Sequence, residues 1–322
     1  MQPYPLSFRP VLKQTIWGGR RLGQQLGKPI GDESNYAESW EVVDHGDDQS
    51  IVANGELAGQ TLASVIANHR KWLLGKHVPD GPFPLLLKYL DCNRVLSVQV
   101  HPDDAYALKM PKPDLGKTEA WFVVAADPGS LIYAGLKQGV DQQMLREAIA
   151  AGQTEQALHS FNPSIGDVVF IPAGTIHALG AGLLIAEIQQ SSDTTFRLFD
   201  WNRVDERGNS RPLHVDQSLS VTDYVSGPVA PRRCEEGVAG WQTMVECDKF
   251  VMQVMEEGTA KVGGDGKFHI LTVPRGTVTL SVAGQSMKLD AGATVMLPAA
   301  IGSCNVAVQA AGTAVMSSHL PD

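Results

Sequence analysis

Two histidines, a glutamate and a glutamine stand out for their spacing. SVQVHPDD at 97–104 sets Ser97, Gln99 and His101 at alternate positions with Val98 and Val100 between them. That is the period of a β-strand, so the three polar side chains face one way. A polar row turned inward loses several kcal/mol of solvation unless it meets a metal or ligand. LGKTEAW at 115–121 adds Glu119 at the start of another strand, and FIPAGTIHAL at 170–179 adds His177. Two imidazoles, one carboxylate and one amide make a shell for a divalent cation. Neutral imidazole with carboxylate suits Zn²⁺ and equally other first-row ions, whereas the amide of Gln99 is the weaker donor.

The same residues admit a rival. His101-Pro102-Asp103 with distal His177 fits the HxD…H triad of jelly-roll Fe(II) oxygenases, with Asp103 as the carboxylate. Enzymes of that kind that hold a 2-oxo acid use an Arg about ten residues after the distal His, and position 187 here is Glu. A third possibility is a non-catalytic cupin that binds a sugar phosphate.

The elements that must position these groups read as short strands separated by Gly and Pro turns. SIGDVVFIPAGTIH at 164–177 aligns without gaps on DAGATVMLPAAIGS at 290–303, matching Gly166 to Gly292 and Pro172 to Pro298 and placing Ser303 at the position of His177. A second match, 121–129 on 268–276, places Gly266 opposite Glu119. This repeat predicts a mainly β chain of two antiparallel jelly-roll β-sandwich units, the architecture that includes cupins, the second without metal ligands. The proline-rich SGPVAPRR at 226–233 reads as a linker, so residues 1–230 are expected as the metal-binding catalytic unit and 231–322 as a degenerate one.

Within the first part, helical insertions are expected at about 57–76 and 140–160, the latter with Met144 in its apolar face and Gly152 at its C-terminus. His69 and His77 read as surface or half-buried residues of the first helix. LLLKYLD at 85–91, a turn at 92–94 and VLSVQV at 95–100 read as a hairpin. Lys88 is its odd member, since a lysine in an apolar strand is costly unless its ammonium reaches an anion or snorkels to water.

The chain has 322 residues, 43% hydrophobic and 19% charged, with formal net charge -9. An acidic chain without a basic run is a poor partner for nucleic acid or an anionic membrane. Cys92, Cys234, Cys247 and Cys304 form no CxxC pair, as expected of reduced structural thiols. With neither a secretory signal nor a long apolar span, a cytoplasmic protein is expected. Lys117, two residues before Glu119, and Glu187, Asp193 and Arg197 in EIQQSSDTTFR surround the shell with charge. Cations beside a metal serve an anionic substrate, so a phosphorylated or carboxylated small molecule is implied.

SVQVHPDD, GKTEAW, FIPAGTIHAL and EIQQSSDTTFRLFDWNR, in that order and with the early Trp17-Gly18-Gly19 and Glu38-Ser39-Trp40, resemble the type I mannose-6-phosphate isomerases in their short bacterial form. The resemblance implies one zinc ion per chain on Gln99, His101, Glu119 and His177. It also implies Arg197 as catalytic arginine, Lys117 facing the substrate, and Ser97 and Lys88 in substrate or phosphate binding. Glu187 and Asp193 match acidic positions near the family's site, and both are candidates for the general base. The implied reaction interconverts mannose 6-phosphate and fructose 6-phosphate through a cis-enediolate, with a phosphorylated hexose as the partner and monomer or homodimer left open.

Overall fold

In a computed structural model of the chain, which describes residues 2–75, 80–204 and 208–322, the period-2 alternation becomes antiparallel sheet. Contacts divide the chain into two compact units: Met1–Asp91 with Ala186–Ser191 and Arg232–Asp322, and Cys92–Ile185 with Ser192–Pro231. The expected division at 230 follows chain order. One segment boundary of these units lies at 231/232. Residues 1–91, however, group with the C-terminal segment, because Leu6–Arg9 joins the C-terminal sheet with Leu6 opposite Met296 and Ser7 opposite Val295.

In the unit built on 92–185, a five-stranded sheet runs in the order Leu158–Phe161, Ile132–Leu136, His177–Leu179, Val98–Val100, Phe196–Phe199. One face is core: Val98, Val100, Ala178, Phe196 and Leu198 cluster with Leu145 and Leu219 of the helices Gln142–Ala150 and Val215–Val221. Alternation then commits Gln99, His177 and Arg197 to the opposite face. Glu119–Ala126 pairs with Val168–Ile171 in a second ladder, with Glu119 opposite Ile171.

In the other unit, a seven-stranded sheet including Val251–Met255, Ala314–His319, His269–Arg275 and Thr294–Leu297 shares a core with the four-stranded sheet that contains Thr277–Val282 and Cys304–Val308. Strands Val11–Gly19, Tyr36–Val42 and Leu85–Cys92 pair antiparallel in sequence.

Several local expectations are refined. Helix Leu62–Leu74 is capped by Thr61, whose side chain accepts from Ser64 N, and it buries Leu62, Val65, Ile66 and Leu73. His69 is half-buried, and His77 lies outside the described residues. The second helix ends at Ala150, followed by Gly152 at φ 69° and a 3-10 turn at Thr154–Ala157. Met144 is 50% exposed and Leu145 fills the core position instead. The hairpin over 85–100 does not form. Leu85–Cys92 pairs with Tyr36–Val42, whereas Val98–Val100 pairs with His177–Leu179 and Phe196–Phe199. Every residue of Leu85–Cys92 is buried, so its apolar run is that of a strand covered on both faces rather than a hairpin arm.

The repeat is real in geometry. Gly166 and Gly292 both adopt left-handed φ, 89° and 86°, a conformation only glycine takes without strain. The second match slips by three residues, because the ladder places Leu297 opposite His269. The counterpart of Glu119 is therefore His269, not Gly266.

Candidate metal centre

His177 lies directly opposite Gln99, and Gln99 opposite Arg197, so the three form one row across adjacent strands. His101 follows two residues after Gln99 on the same face, 1% exposed. Glu119 enters from the neighbouring ladder, also 1% exposed.

The tautomers follow from the backbone. His101 Nδ1 lies 2.8 Å from Thr194 O, and His177 Nδ1 lies 2.9 Å from Thr175 O. A carbonyl only accepts, so each Nδ1 carries the hydrogen and each neutral ring turns its Nε2 lone pair inward. Those nitrogens lie 3.2 Å and 3.8 Å from the Glu119 carboxylate, and the two rings are 4.9 Å apart. Burial, with Lys117 adding to it, lowers the His101 pKa to about 3 against the pull of Glu119. Burial alone would raise the Glu119 carboxyl, but the Lys117 ammonium beside it holds it well below its usual range. Neutral nitrogens therefore face a carboxylate, an arrangement of acceptors that requires positive charge between or beside them. Lys117 supplies some, with Nζ 2.7 Å from Glu119 Oε1 and 3.3 Å from His101 Nε2.

The donor set fits a divalent ion. One ligand atom each from His101, Glu119 and His177 lies within 4.8 Å of the others. Ligands at zinc bond lengths in a tetrahedral shell lie about 3.4 Å apart. Gln99 Nε2 is 3.2 Å from His177 Nε2, so the amide is within reach and would present Oε1 to an ion after a half-turn. Trp121 Nε1 donates to Glu119 Oε2 at 3.1 Å, and its ring meets His177 edge-on at 5.3 Å.

The other candidate residues are distributed as follows. Arg197 is half-buried and Nη1 donates to Pro212 O at 3.0 Å. Burial, then the nearby Arg211, lowers its pKa, with Asp200 opposing. Ser97 is buried beside the row. Asp193 is exposed. Lys88 and Glu187 belong to the other unit, where Lys88 Nζ lies 3.1 Å from Glu38 Oε2 and 3.4 Å from Glu187 Oε1. Two glutamates thus face the Lys88 ammonium, and Trp40 Nε1 donates to Glu38 Oε2 at 2.7 Å. Asp103, the carboxylate of the oxygenase reading, is exposed and caps the short helix Asp104–Ala107 by accepting from Tyr106 N at 2.8 Å. Its side chain is committed there, and Glu119 is the carboxylate that joins the histidines.

Sequence reasoning missed Glu38, Trp121 and the two carbonyls that set the tautomers. Trp121 was available in principle, since it shares a strand face with Glu119 at i+2.

Known proteins resemble the chain over nearly all of its length. A family model described as phosphomannose isomerase type I, catalytic domain, matches residues 6–122. A mannose-6-phosphate isomerase of Streptococcus mutans is 36% identical over 93% of this chain and 94% of its own length. One from Bacillus subtilis is 34% identical over 94% and 95%. The crystal structure of a mannose 6-phosphate isomerase from Bacillus subtilis superposes with a TM-score of 0.86 at 30% identity, covering 99% of this chain and 100% of that one. The apo enzyme from Salmonella typhimurium, at 14% identity and a TM-score of 0.74 over 100% of both chains, shares the fold. On identity across nearly the whole length of its relatives, the chain belongs to the type I phosphomannose isomerase family.

Proposed function

We propose that the chain interconverts mannose 6-phosphate and fructose 6-phosphate, with one zinc ion held by Gln99, His101, Glu119 and His177. The observation that carries this is the convergence of two Nε2 lone pairs on a buried carboxylate, in a chain that matches isomerases end to end. A divalent ion held by these residues would supply Lewis-acid stabilisation of charge on the sugar oxygens.

The remaining work falls to side chains. A proton leaves C2 of the open-chain aldose and returns to C1, a second moves between O1 and O2, and a cis-enediolate lies between. Lys117 and Arg197 place cationic charge against the developing oxyanion. Glu187 and Asp193 are the carboxylates proposed for proton transfer. Glu187, 3% exposed and beside Lys88, is the more firmly positioned of the two. Ser97 and Lys88 are proposed to contribute to substrate or phosphate binding. Trp121 orients Glu119 and His177 rather than reacting.

Among the described residues no helix is long and apolar enough to cross a membrane. With the phosphorylated hexose as partner, the reading places the enzyme in the cytoplasm. The test is to incubate the zinc-loaded protein with mannose 6-phosphate in D₂O and follow fructose 6-phosphate and deuterium at C1 and C2 by NMR. Interconversion that stops on chelation supports the reading. No interconversion by protein of confirmed zinc content rejects it, and uptake of O₂ with Fe(II) would turn it to the oxygenase.

A further inference from the structure

The carbonyl that orients His101 belongs to residues 192–194, a stretch without regular hydrogen-bonded structure. Something must hold it. Asp114, in the loop between His101 and Glu119, gathers it: Oδ2 accepts from Thr194 Oγ1 at 2.8 Å, Ser192 Oγ at 3.0 Å and Asp193 N at 3.4 Å. Within the bend, Thr194 N donates to Ser192 Oγ at 3.2 Å. Asp114 is itself anchored, since Oδ1 accepts from Leu115 N at 2.8 Å and its own N donates to Ala107 O at 3.3 Å. All these residues lie in one compact unit.

We infer that Asp114 is a positioning residue for the metal centre, acting through the 192–194 bend to hold the Thr194 carbonyl against His101 Nδ1. Its carboxylate is half-buried, and neutral donors surround it. A carboxylate accepts at both oxygens, which an amide cannot do. With the bend released, His101 loses the acceptor that selects its Nδ1–H tautomer, and Nε2 no longer presents a lone pair in every molecule. Partners of this kind, one bond beyond a ligand, alter metal affinity by about tenfold to a hundredfold. His177 is a control inside the same site, because its Nδ1 is held by Thr175 O, two residues earlier in the loop that leads into its strand.

The inference rests on the metal reading of the site, and the experiment separates the two. Zinc affinity is measured by chelator competition on the full chain, and ring tautomers of the metal-free protein by ¹⁵N NMR of the imidazoles. In wild type, one zinc binds per chain and His101 and His177 both appear as Nδ1–H. In Asp114→Ala the dissociation constant should rise about tenfold to a hundredfold, with His101 becoming a tautomer mixture and His177 unchanged. Asp114→Asn, which keeps one acceptor oxygen, should recover part of the loss. If the alanine variant does not fold, Thr194→Val, which keeps the carbonyl and removes one donor to Asp114, must show the same change at His101 in weaker form. Unchanged zinc affinity with His101 still wholly Nδ1–H overturns the role of Asp114. Wild-type protein that binds no zinc, or binds it equally after His177→Ala, overturns the metal reading itself.

Discussion

The ladder that carries Glu119 and the ladder that carries His269 are built alike and do different things. In the first, Gly166 N donates to Val123 O at 2.9 Å and Val123 N to Asp167 O at 2.9 Å. In the second, Gly292 N donates to Val273 O at 2.7 Å and Val273 N to Ala293 O at 2.9 Å. At the equivalent strand position one presents a carboxylate and the other an imidazole. The contrast lies in where the ring nitrogens point. His269 is occupied on both sides, by Asp265 Oδ2 at 2.9 Å and Ser317 Oγ at 3.2 Å, with the His319 ring 4.8 Å away. In His101 and His177 the backbone takes Nδ1, and both Nε2 atoms turn to the one carboxylate of Glu119, with Lys117 Nζ and Gln99 Nε2 alongside. A strand pair therefore sets which residues are near one another, and the hydrogen bonds of the rings decide whether lone pairs converge.

The sharpest break between the two ladders is a pair of substitutions. His177→Ala should abolish zinc retention and turnover together, since a shell of four loses a ligand. His269→Ala should retain one zinc per chain and full turnover, measured by elemental analysis and initial rates. Loss of metal from the second variant would destroy the distinction. Next in size, Arg197→Ala should reduce kcat by about a hundredfold to a thousandfold, as loss of a charge-stabilising donor does, with zinc content unchanged. Parallel loss of metal would assign Arg197 to holding the row with Gln99 instead.

Acid should act on the metal-free centre. The folded chain keeps His101 neutral down to about 3, whereas an unfolded histidine takes up a proton near 6.5. As pH falls below 6.5 the unfolded state binds a proton that the folded state does not, so stability declines through that window. Glu119 has its folded pKa depressed, so its contribution is present above 4.5 and is lost as pH falls below that value. Urea midpoints of the apo protein at pH 7 and pH 5 should therefore differ, and His101→Gln should reduce the difference. His319 and His214 share the direction through burial, so a slope that survives His101→Gln would place the effect at one of those two.

The smallest effect expected is that of Tyr89→Phe. The buried Tyr89 hydroxyl meets Thr272 Oγ1 at 2.7 Å, and Thr272 meets Thr294 Oγ1 at 2.7 Å. Burial raises the phenol far above its ordinary pKa. Removing the hydroxyl should cost about 1 kcal/mol in denaturant unfolding and leave zinc content intact.

Much of the centre was legible because strand periodicity is local. Val98 and Val100 on one face oblige Gln99 and His101 to share the other, and Gly166 and Gly292 mark the same left-handed turn in both repeats. Lys88 was legible as an anomaly, but its partners Glu38 and Glu187 were not, since they come from other strands. The carbonyls of Thr175 and Thr194 left no trace in residue type, because every residue has one. The hairpin over 85–100 was misread for a related reason: adjacency in sequence resembles pairing, and only the buried neighbours of Leu85–Cys92 show otherwise.

From sequence alone follow the β class, the repeated turn glycines, the ligand types and the resemblance to the isomerases over residues 85–203, all of them properties of short patterns. Only the tertiary structure decided which carboxylate meets the histidines. Asp103 and Glu119 were both available, but Asp103 is taken by the nearest unsatisfied backbone N–H at a helix start, a bond that forms within three residues. Glu119 reaches the histidines through strand pairing across distant segments of chain, and that register is set by burying whole faces of sheet, which no short stretch of sequence contains.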